Sequence, residues 1–270
     1  MGFRRYLLEK RETPGAGKAF IPYFTLGDPD EKTSLALISA ALEGGAEGLE
    51  LGFPFSDPIA DGPVLQRSAA RSLAAGMTPG KCLALIERVR KLSPVPLGLL
   101  LYYNLIHAYG IKAFCRNAAA CGVNAVLAAD LPPESAAPLM EGLAANDLES
   151  VFMVGLTTPR ERIRDIAGLT TGYIYLVAVL GVTGERSSVS ARTIGKINEV
   201  REVTDTPVSV GFGISKPDHA ALFRGTGADA VIVGSALATI IEEHRGDRKK
   251  LCSTVRDFVR SIREALDREG

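Results

Sequence analysis

A glutamate inside a short apolar run is the first residue that could perform chemistry. Glu50 lies between Leu49 and Leu51 in segment 48–52. Side chains alternate along a strand, so if both leucines face surrounding helices, Glu50 points into the protein interior. A carboxyl group there is unfavourable unless it is paired or protonated. We therefore expect a raised pKa and a proton donor near neutral pH, with a hydrogen-bonded structural glutamate as the alternative.

The segment that follows Glu50 has the composition of an active-site loop. Residues 52–63 contain two aspartates, Asp57 and Asp61, together with three prolines and two glycines. Such a loop after a strand is typically shaped for binding or catalysis. Either aspartate also fits as a turn or cap residue, and this reading stays open from the loop alone.

Three later loops carry glycines that would let backbone N–H groups approach an anion. They contain Gly184, Gly213 and Gly234, and Ser235 could cap a helix and donate its hydroxyl. The pattern lacks a dinucleotide fingerprint and a Walker A motif. A lone glycine pair would indicate a turn, but three such loops after consecutive predicted strands predict a phosphate site.

The elements that must position these residues alternate strictly between strand and helix. Eight strands are predicted at 20–25, 48–52, 96–102, 125–129, 151–155, 173–177, 208–212 and 228–234. Helices are predicted at 33–43, 78–92, 111–121, 134–146, 160–167, 191–203, 217–224 and, as an amphipathic closing helix, 248–269. This alternation predicts an α/β protein, a single (β/α)8 TIM barrel with extra terminal helices over residues 1–270. An open doubly wound sheet is the alternative.

Composition excludes several classes of function. The chain of 270 residues has 31 basic and 31 acidic side chains, which does not suggest nucleic acid or an anionic membrane as a partner. The four cysteines and three histidines lack metal-ligand spacing, so no metal is expected. Because no signal peptide or membrane-length apolar stretch is found, a cytoplasmic protein is expected.

The run from Glu50 to Pro63, ELGFPFSDPIADGP, resembles the signature of tryptophan synthase alpha chains. The similarity extends to segments 20–29, 103–104, 129–132, 181–184, 211–214 and 234–235, and so covers about residues 20–235 of the chain. One departure is Ala178-Val179-Leu180, where many members have a Ser-Arg-like segment; it could alter closure of a loop over the substrate.

The resemblance implies a lyase that cleaves indole-3-glycerol phosphate to indole and glyceraldehyde 3-phosphate. It implies Glu50 as general acid and base and Asp61 as the partner of the indole N–H. The implied phosphate residues are Gly184, Gly213, Gly234 and Ser235, and the implied indole-pocket residues are Tyr23, Leu100, Tyr175, Thr183 and Phe212.

The resemblance also implies a partner. In this family the alpha chain needs no cofactor, and a beta chain that holds pyridoxal phosphate receives indole through a tunnel in an α2β2 heterotetramer. The implied contact surface includes Asp57-Pro58 and Asp130-Leu131-Pro132.

Two other functions remain as alternatives. One is a regulatory subunit that binds the phosphate ligand without catalysis, against which the presence of both Glu50 and Asp61 argues. The other is a different phosphate-binding barrel, such as a sugar-phosphate isomerase. That function would require a catalytic Lys, His or Asp pair at other strand ends, where we find no persuasive candidate.

Overall fold

The strands of the computed structural model form one parallel sheet. The structure describes residues 1–178, 191–211 and 213–267. Within these ranges the strands are β1 Ala19–Thr25, β2 Leu49–Gly52, β3 Leu97–Leu101, β4 Ala125–Ala128, β5 Glu149–Ser150, β6 Phe152–Val154, β7 Ile174–Val177, β8 Val208–Gly211 and β9 Ala230–Val233.

The sheet closes on itself through a strand that is split in two. Its order is β5-β4-β3-β2-β1-β9-β8-β7-β6, and the paired strands are parallel. The two ends of this order, β5 and β6, are separated only by Val151. The Val151 N–H donates to the Val126 carbonyl at 3.0 Å, so the chain continues along β4 between the two pieces. The predicted barrel is confirmed, and the open doubly wound alternative is wrong.

Helices surround the barrel and extend beyond it at both termini. They are α1 Phe3–Glu12, α2 Glu31–Glu43, α3 Pro63–Ala74, α4 Pro79–Leu92, α5 Tyr103–Tyr109, α6 Ile111–Ala120, α7 Ala137–Ala144, α8 Arg160–Leu169, α9 Ala191–Val203, α10 Pro217–Ala221, α11 Ser235–His244 and α12 Arg248–Asp267. Sequence patterns did not predict α1, α3 or α5. The helix predicted at 134–146 is shorter, because residues Pro133–Ser135 form a separate 3-10 turn.

Two apolar layers follow from the alternation of side chains along the strands. Leu49 and Leu51 belong to the outer layer, between the strands and the helices. Ile21, Tyr23 and Tyr175 belong to the inner layer, inside the barrel. The predicted orientation of Leu49 and Leu51 is thus confirmed, and Glu50, between them, faces the interior.

The N-terminal helix closes the base of the barrel. Phe3 is fully buried, and a Cβ on Gly48 would lie 2.8 Å from its ring. The Glu149 carboxylate accepts from the Phe3 and Arg4 N–H groups at 2.8 and 3.2 Å, which caps the first turn of α1. Among the described residues, no helix combines the length and the apolar character needed to cross a membrane.

Candidate active site

A cavity opens where the carboxyl ends of the strands meet. It has a volume of about 750 Å³, part of which is open to solvent. Of the residues predicted for the site, those that line it are Tyr23, Glu50, Asp61, Leu100, Tyr175, Gly213, Gly234 and Ser235. Thr183, Gly184 and Phe212 lie outside the described residues. Since barrel enzymes place their chemistry at this end of the strands, the cavity is the candidate active site.

Glu50 is a buried acid with one hydrogen bond. Glu50 is only 1% exposed to solvent. The Tyr173 hydroxyl donates a hydrogen bond to its Oε1 at 3.1 Å. Its Oε2 has no partner among the described residues. Burial raises the pKa of Glu50 to about 8, and the hydrogen bond from Tyr173 acts in the opposite direction. The carboxyl group is therefore mainly protonated at neutral pH.

Asp61 is held at the cavity by the loop between β2 and α3. The Tyr102 hydroxyl accepts from the Ala60 N–H at 3.1 Å, and the Tyr102 ring stacks on Phe55 with centroids 5.2 Å apart. Burial raises the pKa of the Asp61 carboxyl, and a hydrogen bond from Tyr102 offsets part of this rise. Asp57, on the same loop, is exposed and accepts from Ser56. The fold thus gives different surroundings to two aspartates that the composition of the loop alone does not distinguish.

The other end of the cavity is the N-terminus of α11. Gly234 occupies the N-cap position and no described side chain caps the helix, so the expectation that Ser235 caps it is wrong. The first bond within the helix runs from the Ala238 N–H to the Gly234 carbonyl at 3.0 Å. Gly213, with φ of +78°, lines the same end. Uncapped N–H groups at a helix N-terminus favour an anion such as phosphate.

Apolar side chains form the middle of the cavity. Leu65, Met153 and Ile232 line it beside the predicted Leu100, although sequence reasoning did not select them. Strand alternation could have identified Met153 and Ile232, because both lie on strands that end at the cavity. Leu65 lies on α3, which the sequence patterns did not predict.

The tyrosines that line the cavity pack directly against strand glycines. A Cβ on Gly52 would lie 2.0 Å from the Tyr23 hydroxyl, and one on Gly211 would lie 2.1 Å from the Tyr175 hydroxyl. Side chains larger than glycine at these two positions would displace the rings. Glycine at these two positions therefore lets the Tyr23 and Tyr175 rings lie directly against the strands.

The comparison with known proteins gives the family. The family model for the tryptophan synthase alpha chain matches residues 10–267. The chain belongs to the tryptophan synthase alpha chain family. The tryptophan synthase alpha chain of Methanothermobacter thermautotrophicus is 46% identical over 249 residues, which are 92% of this chain and 92% of that protein.

Solved structures of tryptophan synthase have the same fold. The alpha subunit from Legionella pneumophila gives a TM-score of 0.89 at 32% identity and covers 99% of each chain. A chain of the tryptophan synthase a2b2 complex from Pyrococcus furiosus gives a TM-score of 0.84 at 35% identity, covering 91% of this chain and 98% of that one.

The described residues of the chain contain no cluster of side chains arranged like metal ligands. Within residues 1–178, 191–211 and 213–267, no three His, Cys, Asp or Glu side chains lie together as ligands for one ion. The groups that line the cavity include a glutamate whose pKa is raised, a partly buried aspartate, apolar side chains and a helix N-terminus. These groups suit proton transfer and the binding of an anion.

Proposed function

We propose that this chain is a carbon-carbon lyase that cleaves indole-3-glycerol phosphate into indole and glyceraldehyde 3-phosphate. One observation carries the proposal: two carboxyl groups of different character and an uncapped helix N-terminus line a single apolar-walled cavity. The substrate has groups that match the two ends of the cavity, because it carries an indole ring at one end and a phosphate at the other. Membership of the tryptophan synthase alpha chain family supports the same activity.

In the first step Glu50 protonates indole C3. The raised pKa of about 8 keeps its carboxyl group protonated near neutral pH, as a general acid requires. Protonation at C3 places positive charge on the indole N1. Asp61, as a carboxylate, accepts a hydrogen bond from N1–H and stabilises that charge.

In the second step the bond between C3 and the glycerol chain breaks. Glu50, now a carboxylate, takes the proton from the hydroxyl on the adjacent side-chain carbon. That carbon becomes a carbonyl, and the electron pair of the broken bond returns to the indole ring. Indole leaves neutral, glyceraldehyde 3-phosphate is the other product, and Glu50 is again protonated.

Binding of the phosphate is assigned to Gly213, Gly234 and Ser235, with Gly184 as a further contact from outside the described residues. The indole ring is assigned to the walls formed by Tyr23, Leu100 and Tyr175, together with Thr183 and Phe212. These assignments rest on the positions of the described residues around the cavity and on the family resemblance of the other three.

The proposal extends to a partner. The related Pyrococcus furiosus chain belongs to an a2b2 complex. We infer that this chain also pairs with a beta chain, which would carry the pyridoxal phosphate, and that the alpha reaction needs no cofactor.

The deciding experiment measures indole release from indole-3-glycerol phosphate by the purified chain, with and without a beta chain. We expect release that increases when the beta chain is added. Glu50→Gln and Asp61→Asn should bind the substrate but lose most of the cleavage. Asp57→Asn, assayed in the isolated chain, is the matched control because it neutralises an exposed carboxylate on the same loop. Ligand binding without any cleavage by the unaltered chain would instead indicate the regulatory subunit.

A further inference from the structure

Four charged side chains connect α3 to α11 and to the segment that follows β1, beside the cavity. Arg71, on α3, donates to both carboxylate oxygens of Asp28 at 2.8 and 2.7 Å. Arg67, one turn earlier on α3, donates to both oxygens of Glu242 on α11, each at 2.8 Å. Arg71 also approaches Glu242, at 3.3 Å. We call Asp28, Arg67, Arg71 and Glu242 the α3–α11 clamp.

The clamp runs from the protein interior to the surface. The Asp28 side chain is fully buried and receives a further hydrogen bond from Ser68. Glu242 and Arg67 are 30% and 53% exposed. The inner half is thus a fixed anchor that follows β1, and the outer half can be altered without leaving a charge unpaired in the core.

The two helices that the clamp joins carry opposite ends of the candidate active site. Helix α3 begins two residues after Asp61, and its Leu65 lines the cavity. Helix α11 begins at Ser235, where the cavity wall is formed by the helix N-terminus. The position of α3 relative to α11 therefore sets the distance between the carboxylate end and the anion end.

We propose that the α3–α11 clamp is a positioning device that keeps these two ends at the spacing of one extended ligand. The inference rests on the proposed function, in which indole lies at Asp61 and phosphate at α11. A ligand that occupies both ends gains affinity because its second group binds at high effective concentration, and this gain depends on the spacing. A ligand that occupies one end does not depend on it.

The test compares one spanning ligand with two fragments. The spanning ligand is indole-3-propanol phosphate, which joins an indole ring to a phosphate; the fragments are indole and glycerol 3-phosphate. Glu242→Gln removes the negative charge that faces both arginines and replaces one of the two accepting oxygens with an amide nitrogen. It should weaken binding of the spanning ligand about fivefold. Binding of each fragment should stay within about twofold, because each end of the site keeps its own contacts.

Two further variants serve as controls. One tests the loss of an unrelated surface charge, and the other tests whether Arg67 and Glu242 act through the same contact. Glu87→Gln removes an exposed ion pair with Lys91 inside α4 and should leave the binding of all three ligands unchanged. Arg67→Gln breaks the same contact from the α3 side. If both clamp variants act through one contact, the double variant should bind the spanning ligand about as well as either single variant.

Other results overturn the proposal. An unchanged affinity of Glu242→Gln for the spanning ligand would show that the clamp does not set the spacing. An equal loss for the spanning ligand and for a fragment would show local damage at one end of the site instead. If the unaltered protein binds neither fragment nor the spanning ligand, the proposed function fails, and the role of the clamp fails with it.

Discussion

The Tyr173 hydroxyl donates a hydrogen bond of 3.1 Å to Glu50 Oε1, in a part of the barrel interior that both residues share with Phe3. This bond stabilises the carboxylate form, whereas burial stabilises the protonated form, and burial has the larger effect. Tyr173 thus limits the rise in the pKa of Glu50, although it does not itself line the cavity.

Tyr173→Phe should move the alkaline limb of the kcat–pH profile to higher pH. Loss of the donor removes a stabiliser of the carboxylate, so the pKa of Glu50 should increase beyond about 8. The protonated acid that starts the reaction then persists at higher pH. Tyr103→Phe, outside the residues that line the cavity, should leave the profile unchanged. A limb that moves to lower pH would contradict the effect assigned to this bond.

Glu50→Gln should make the fold more stable than the unaltered protein at alkaline pH. The unfolded chain ionises Glu50 near 4.5 and the native chain near 8, so the native state binds more protons between these values. Stability therefore falls as pH rises through this window, by up to on the order of 5 kcal/mol. Urea unfolding at pH 5 and pH 9 should show that the advantage of the variant grows with pH.

The exposed Glu87→Gln is the matched control for that stability measurement. Its carboxylate is paired with Lys91 at the surface, and its pKa is lowered from the usual value by that lysine. It is ionised in both the folded and the unfolded chain from pH 5 to pH 9, so its effect should be constant. An equally constant effect of Glu50→Gln would mean that Glu50 does not titrate in this window.

Tyr102→Phe should weaken the stabilisation that Asp61 gives to the positive charge on the indole N1. The hydrogen bond from Tyr102 lowers the pKa of Asp61 against the effect of burial, so its loss should move the acid limb of kcat/KM to higher pH. At neutral pH we expect kcat/KM to fall about tenfold, as for loss of one hydrogen bond to a charged group. Phe55→Leu removes the ring stack with Tyr102 and keeps the hydroxyl. If Phe55→Leu moved the acid limb equally, loop packing would be the cause.

Sequence patterns predict those features of the fold that depend on the local spacing of apolar residues. The inward direction of Glu50 follows from its two leucine neighbours, and the closing helix α12 follows from the spacing of Val255, Val259 and Ile262, which are all buried. What they miss depends on contacts between distant segments. Sequence patterns do not predict α3, because polar side chains rather than an apolar stripe attach its inner face. Arg71 donates to Asp28 and Ser72 donates to the Leu26 carbonyl, both in the segment that follows β1.

The same limit applies to the candidate site. The turn motifs alone do not distinguish Asp57 from Asp61, and in the sequence only the family resemblance implies Asp61 for the site. Their surroundings differ because of Tyr102, which directly follows β3 and lies 41 positions beyond Asp61 along the chain. The Tyr102 hydroxyl binds the loop at Ala60, next to Asp61. The prediction of Ser235 as the N-cap of α11 is wrong by one residue, because a glycine and a serine both suit that position.

Gly52→Ala should test how closely the strand glycines hold the walls of the cavity. The new Cβ would lie 2.0 Å from the Tyr23 hydroxyl and 2.6 Å from Cζ, so the ring must move. We expect the free energy of unfolding to fall by about 2 kcal/mol, as for other overpacked sites. Gly80→Ala, where no atom lies within 4 Å of the added Cβ, should cause no comparable loss.

Tyr23→Leu separates this steric contact from other effects at Gly52. It removes both the hydroxyl and Cζ, so Gly52→Ala should cost less in the Tyr23→Leu background than in the unaltered protein. Denaturant unfolding of the two single variants and the double variant gives the coupling, which we expect to be about 1–2 kcal/mol for residues in direct contact. Additive losses would show that Tyr23 is not the group that excludes a side chain at position 52. The rigidity of that wall would then have to come from the backbone pairing of Thr25 with Gly52.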